Sequence, residues 1–453
     1  MSEEGREGRV PPEEPGATFV IENALAPTKR GLERVTIVIG GRRVVGLLPL
    51  GDGRAGGAGR PCPRRRVPRL DAAGRFAVPG FVDLHVHGAT GVDFTTADGA
   101  RLEALRTLSG YLAAHGVTAF CATTLSAGPE ALLKAVEAVA EAAETSAAVS
   151  AADPPTAPAA SAAGVHPNVP ETSWPGARVL GCHLEGPFLS PVRRGAQPLD
   201  ALRPPDLAEM EALVKASRGT LRIVTLAPEV PGALELVRWL AVRGVVVAAG
   251  HTDATYEETA RAVAAGLSQS THTFNGMRPL THRDPGVLGA VMNHDEVLAE
   301  VIADGLHVSR HVVRLLCRVK GLRRVAVVSD LTCLAGLEPG EYDFAGQRVE
   351  VTADRATVKD TGGLAGSVTP LNEAFRNLLD WGFTVREAAL LTSANARRQM
   401  GLPGADGVIE VGCQADITVI GADGEVLLTL AGGRVIHAAP GTGLAPAGER
   451  DPG

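Results

Sequence analysis

Residues 79–88 read PGFVDLHVHG. After the Pro-Gly step the run is apolar and β-branched, which is strand chemistry, and it ends in His85-x-His87 just before Gly88. Successive side chains of a strand point to opposite faces, so His85 and His87 share one face, about 7 Å apart along the chain. Two imidazoles placed that way can reach one ion. Satisfied core or turn histidines explain an isolated HxH equally well, so the weight falls on whether other strands end alike.

Four later strands do. Strand-like apolar runs recur at 81–87, 117–124, 179–185, 221–226, 245–250, 268–272, 297–303 and 325–330. Helix-like segments lie between them at 104–115, 131–143, 208–217, 232–243, 255–266 and 308–320, and two more helices are expected near 370–381 and 385–400. This alternation predicts an α/β chain whose eight parallel strands close into a (β/α)8 TIM barrel. The third run ends in GCHLEGPF with Glu185, the fifth in AAGHTD with His251, the sixth in STHTFNGM with His272 and the eighth in VVSD with Asp330. Either carboxylate alone reads as a cap. In a barrel all five ends face one rim, where the active sites of this architecture are built, and five simultaneous caps explain the pattern poorly.

The two chain ends share a different texture. FVIENALAPT and RVTIVIGGRRVVGLL near the start, and ADITVIGADGEVLLTLAGGRVIHA near the end, are short β-branched runs punctuated by glycine turns. Neither set has enough strands to stand alone, so residues 17–78 and 405–440 are expected to pair into one small β-sandwich beside a barrel spanning 79–404. Residues 1–16 read as a disordered leader, 51–66 as a Gly-, Pro- and Arg-rich loop, and 441–453 as a disordered tail. The Ala-, Pro- and Ser-rich stretch 145–175 reads as a disordered insertion before the third strand.

Composition narrows the function classes. The 453 residues are 45% hydrophobic, enough for a sizeable core. Acidic residues outnumber basic ones, 51 to 44, and the longest basic run is Arg64-Arg65-Arg66, which argues against a nucleic-acid partner. No apolar run reaches the roughly 18 residues of a membrane span and the N-terminus has no apolar signal core, so no membrane partner is expected and the protein reads as cytoplasmic. Six cysteines without CxxC spacing read as reduced, buried thiols.

Imidazole nitrogens with a carboxylate suit zinc or a similar borderline divalent ion, with iron, manganese or cobalt as alternatives. Glu185, His251 and His272 would supply three ligands and leave a position open for water, the mark of a catalytic site. His85 and His87 could complete a second site, so one ion or two remain open.

The motifs PGFVDLHVHG, GCHLEGPFLSPVRRGA, AAGHTDA, THTFNGMRPLTHRDPG, ADGLHV, VSD and GVIEVGCQADITVI together resemble the N-acetylglucosamine-6-phosphate deacetylases, a family within the amidohydrolase superfamily, over residues 19–436. The resemblance implies the same barrel and β-sandwich, and a metal-dependent release of acetate from a phosphorylated amino sugar. It implies ligation by Glu185, His251 and His272, with a second ion at His85 and His87 in members that keep HxH. It assigns general base and acid chemistry to Asp330, and substrate binding to Asn275, Gly276, Arg283 and His307. Arg283 and Asn275 would hold the sugar phosphate and His307 would sit near the scissile amide. A guanidinium suits a phosphate dianion through paired hydrogen bonds. The family also implies a homodimer.

The chain departs from the family at three places. The loop after GPF reads Arg193-Arg194-Gly195-Ala196-Gln197, with a neutral amide where the family carries histidine. Gly276 stands where alanine is common, and Ala396 follows Asn395 where proline is usual. None removes a metal ligand or the base. Two other readings stay open: deacetylation of another N-acetylhexosamine 6-phosphate such as the galacto epimer, and a non-catalytic scaffold that keeps the barrel for assembly.

Overall fold

The computed structural model describes residues 16–50, 67–97, 99–151, 174–442 and 444. The 51–66 loop, nearly all of the expected leader and tail, and the larger part of the 145–175 insertion lie outside the described residues.

Eight strands run β1 Phe81–Val86, β2 Val117–Thr124, β3 Arg178–Glu185, β4 Leu221–Leu226, β5 Val246–Ala249, β6 Leu267–Ser270, β7 Leu298–Ile302 and β8 Val325–Val328. Each pairs in parallel with the next, in sequence order. The barrel closes at its rim, where Val86 bridges Leu331, the Asp330 amide donates to the His85 carbonyl over 2.9 Å and the His87 amide to the Leu331 carbonyl over 2.8 Å. The seam between first and last strand therefore runs through three of the residues singled out above.

Alternation along the strands sorts two cores. Val82, Leu84, Cys121, Ile223, Ala248, Leu298, Ala326 and Val328 fill the barrel interior, while Cys182, Leu184, Val224, Val247, Ala299 and Val327 pack outward against the helices. Ala396 and Met400 close the barrel floor from the end of a single helical run whose middle, Leu390–Ala394, is a π turn.

The chain ends form one continuous mixed sheet of eight strands that curls over its own core, so the expected sandwich has no break between its layers. Phe76–Pro79 joins the two ends, pairing antiparallel with Ile417–Ile420 and in parallel with Phe19–Thr28. A buried ion pair ties this sheet to the barrel. Nη1 and Nη2 of Arg397 each lie 3.1 Å from Asp416 Oδ2, and Ser393 donates to the Gly80 carbonyl over 2.7 Å, just before β1 begins.

Three elements differ from expectation. The helix Pro129–Ala151 runs through residues 145–151, which the sequence assigned to the insertion; the stretch is rich in alanine, the best helix former, and the buried Ser146 accepts from the Val179 amide over 3.1 Å. Before β3, the indole N–H of Trp174 donates to the Ala177 carbonyl over 2.8 Å. The helix Gly286–Asn293 was not anticipated, because two glycines in eight residues mask a helical pattern. Nor was the antiparallel sheet Gly340–Phe344, Gln347–Val351 and Ala356–Val358 that follows β8, whose first turn is Ala345-Gly346 rather than the usual Asn-Gly or Asp-Gly. No helix among the described residues is long and apolar enough to cross a membrane.

Because removing one partner of a buried ion pair strands the other charge, Asp416→Leu should cost about 3–5 kcal/mol of stability by chemical denaturation. A loss below about 1 kcal/mol, the range of exposed pairs, would contradict the anchoring role of Asp416.

Candidate metal centre

The strand ends carry their polar side chains to one volume. Val82 and Leu84 face the barrel interior but Val86 faces outward, and the β1–β2 register slips between Asp83 and Val86. This bulge re-aims the strand end so that His85 and His87 point into the barrel mouth. On β3 the outward Cys182 and Leu184 leave His183 and Glu185 facing inward. His251, His272 and Asp330 each lie two residues beyond the end of their strand, and all three have left-handed backbones, with φ of 46°, 28° and 50°. For residues other than glycine that conformation costs about 1–2 kcal/mol each, so the turns hold these side chains against a local preference.

Two triangles of donor atoms result. Nε2 of His251 lies 3.2 Å from Glu185 Oε1, Nε2 of His272 lies 3.0 Å from the same oxygen, and the two nitrogens are 3.1 Å apart. Nε2 of His85 and of His87 are 3.1 Å apart and each lies 3.3 Å from Asp330 Oδ1. Glu185 joins the triangles, at 3.4 Å from His85 through Oε1 and 3.4 Å from His87 through Oε2. All six side chains are buried.

The outer ring nitrogens decide what the inner ones offer. Nδ1 of His87 donates to the Thr123 carbonyl over 3.1 Å, Nδ1 of His251 to the Arg193 carbonyl over 3.0 Å, and Nδ1 of His85 to Glu300 Oε2 over 3.3 Å. In the neutral rings this places the lone pairs on Nε2, pointing at one another. Lone pairs 3.1 Å apart repel unless a positive charge lies between them. Ligands about 2.0–2.1 Å from a tetrahedral ion stand about 3.3–3.4 Å apart, close to the edges of both triangles. The donor set therefore fits a divalent ion, and fits two.

Electrostatics agrees. Burial works against charge on His85, but Glu185 and Asp330 outweigh it and raise its pKa well above the ordinary imidazole value. His251 is raised in the same way, chiefly by Glu185 against its own burial. Burial would raise the carboxyls of Glu185 and Asp330, yet the imidazoles, His85 foremost, hold both below the usual carboxylate range. Two buried, ionised carboxylates among four imidazoles call for positive charge, which an ion supplies as well as protons do.

Three supporting residues escaped the sequence reading. Glu300, fully buried on β7, accepts from His85 Nδ1, from the His272 amide over 3.2 Å and from Gln269 over 2.6 Å. Its signal was a charge inside the apolar run LAEVI. His183 stands edge-on to His85 with ring centroids 4.7 Å apart, but its nitrogens are engaged by the Leu84 carbonyl and the Thr225 hydroxyl, and burial lowers its pKa to about 4. It is a neutral spacer rather than a ligand. Asp83 accepts from the Ser329 amide and hydroxyl and so grips the strand end that carries Asp330; burial pushes its carboxyl up to about 6.

Two of the expected substrate residues brace the turns that carry the donor cluster, and two stand outside it. Asn275 donates to the His272 carbonyl over 3.3 Å, bracing that turn. Gly276 has φ 58°, and a Cβ there would come within 2.8 Å of His251 Nδ1, so the alanine common in the family would need the His251 ring to shift in this structure. The backbone amide and Nδ1 of His307 are held by Asp304, at 2.9 and 2.6 Å, just beyond β7. Arg283 is exposed and pairs with no cluster residue among the described residues.

A model of the amidohydrolase family matches residues 76–436. The chain is 34% identical to N-acetylglucosamine-6-phosphate deacetylase of Bacillus subtilis over 86% of this chain and 92% of that one. It is 32% identical to N-acetylgalactosamine-6-phosphate deacetylase of Escherichia coli over 76% of this chain and 82% of that one. A solved structure of a mutant N-acetyl-D-glucosamine-6-phosphate deacetylase from Mycobacterium smegmatis, in complex with N-acetyl-D-glucosamine-6-phosphate, superposes with a TM-score of 0.75 at 30% identity, covering 93% of this chain and 99% of that one.

Partners outside the first ring of ligands commonly set affinity by 10–100-fold, so Glu300→Gln should weaken zinc binding by about that factor in a competition titration against a chromophoric chelator. Unchanged affinity would remove Glu300 from the site.

Proposed function

The chain belongs to the amidohydrolase family, and from that membership we propose that it hydrolyses the N-acetyl group of N-acetyl-D-glucosamine 6-phosphate to D-glucosamine 6-phosphate and acetate. The observation that carries the reading is the convergence of Glu185, His251 and His272 on common donor distances of 3.0–3.2 Å, with Asp330 beside them. Those three residues hold one divalent ion, zinc by donor type with iron, manganese or cobalt as alternatives, and His85 and His87 hold a second where two bind. When bound, the ion supplies Lewis-acid chemistry, acidifying water and polarising the acetyl carbonyl.

The chain's own groups do the rest. Asp330, kept ionised by His85, accepts a proton from the attacking water as the new C–O bond forms. It returns that proton to the sugar nitrogen as the C–N bond breaks, so the amine leaves neutral. His307, its Nδ1 fixed by Asp304, keeps Nε2 for the substrate near the amide. Asn275 and the exposed Arg283 take the sugar phosphate, Arg283 through paired charged hydrogen bonds, and Gly276 lines the substrate site. The enzyme works as a homodimer in the cytoplasm in this reading.

The galacto epimer is a second reading, favoured by the Escherichia coli relative. Acetate release measured side by side on both phosphorylated epimers and on unphosphorylated N-acetylglucosamine separates them. The gluco phosphate should react fastest. Loss of the phosphate should lower kcat/KM by about 10–100-fold, the worth of charged hydrogen bonds of about 1.5–3 kcal/mol. Equal rates with and without phosphate would contradict the role of Arg283, and a faster galacto phosphate would reassign the substrate. Asp330→Asn should keep the ion held by Glu185, His251 and His272 and lose about 100-fold or more in kcat; near-normal turnover would remove Asp330 from proton transfer.

A further inference from the structure

We propose that Gln197 is a positioning residue of the ion site, whose side-chain amide fixes the orientation of the Glu185 carboxylate. Gln197 follows the short helical turn Pro191–Arg193 and is 3% exposed. The backbone amide of Ser126 donates to its Oε1 over 2.8 Å. A backbone N–H can only donate, so the side-chain amide has one permitted orientation: oxygen toward Ser126, NH₂ toward the cluster. From there Nε2 donates to Oε2 of Glu185.

The loop that presents Gln197 is itself pinned. Arg194 donates to the Gln197 carbonyl over 2.9 Å, and Gln347, from the three-stranded sheet after β8, donates to the Ala196 carbonyl over 3.3 Å. A carboxylate on a flexible stem turns freely about its last bond, where the torsional preference is broad and two-fold. With Oε2 held by Gln197, Oε1 is directed to the vertex it shares with His251 and His272, at 3.2 and 3.0 Å. The neutral amide does this without adding charge to a cluster that already balances two carboxylates against four imidazoles. At Gln197, where the family carries histidine, this loop therefore reaches the proposed ligand Glu185 directly.

The inference rests on Glu185 being an ion ligand, and the experiment separates the two. Native protein, Q197M and Q197H are stripped with chelator and titrated with zinc against a chromophoric competitor, and the thermal shift on adding zinc is read on the same samples. Methionine fills the volume without a donor; histidine restores an N–H donor. Q197M should bind zinc about 10–100-fold more weakly, with a smaller zinc-induced rise in melting temperature, and Q197H should recover most of the loss. Native affinity in Q197M would overturn the proposal, as would a Q197H as weak as Q197M. Should Q197M fail to fold, Q197H decides alone: near-native affinity supports the proposal, and a loss of 10-fold or more overturns it. A native protein that takes up no zinc would instead overturn the assignment of Glu185, whatever the variants do.

Discussion

Four imidazole nitrogens and two carboxylates face one another across 3.0–3.4 Å at the barrel mouth, and the surrounding architecture serves to keep them there. Left alone, such groups would turn away, since like lone pairs repel and buried charge is costly. Several devices prevent this. Carbonyls and Glu300 hold the outer nitrogens of His85, His87 and His251. Left-handed turns hold His251, His272 and Asp330 beyond their strands. Buried Nδ1 of His272 has no hydrogen-bond partner among the described residues, and its ring is set by packing and by the cluster itself.

The seam of the barrel and the site are the same piece of chain. Asp83 reaches from β1 to Ser329, and the backbone bonds from Asp330 to His85 and from His87 to Leu331 close the cylinder. Closure thus brings Asp330 Oδ1 within 3.3 Å of both histidines of the HxH pair. A barrel open at this seam would separate Asp330 from His85 and His87 and so break one triangle of donors. The Arg397–Asp416 pair and Ser393 steady Gly80, and with it the start of β1, from below, so the small sheet domain contributes to the geometry of a site it does not touch.

Much of this was legible in the residues. All eight barrel strands lie within a residue or two of their expected positions, because buried parallel strands are short apolar runs bounded by turns. The polar residues that ended those runs are the ones the fold gathers. What stayed hidden had weak local signals. Glu300 looked like one charge in an apolar strand, and the helix at 286–293 was masked by its glycines. Gln197 read as part of a basic loop, whereas Ser126 and Glu185, distant in sequence, hold it inside. Gly276 stands where alanine is common, and only the approach of His251 shows how closely that turn packs on the ring. These are tertiary facts, set by partners far along the chain.

The account stands on one claim, that Glu185, His251 and His272 grip a common ion. Anomalous scattering from crystals of the native protein, measured above and below the absorption edge of the bound metal, tests it most directly. A peak about 2.0–2.2 Å from Glu185 Oε1 and from Nε2 of both histidines is the predicted result. Metal-replete crystals with no peak among those three atoms, or with the metal bound elsewhere, would contradict it.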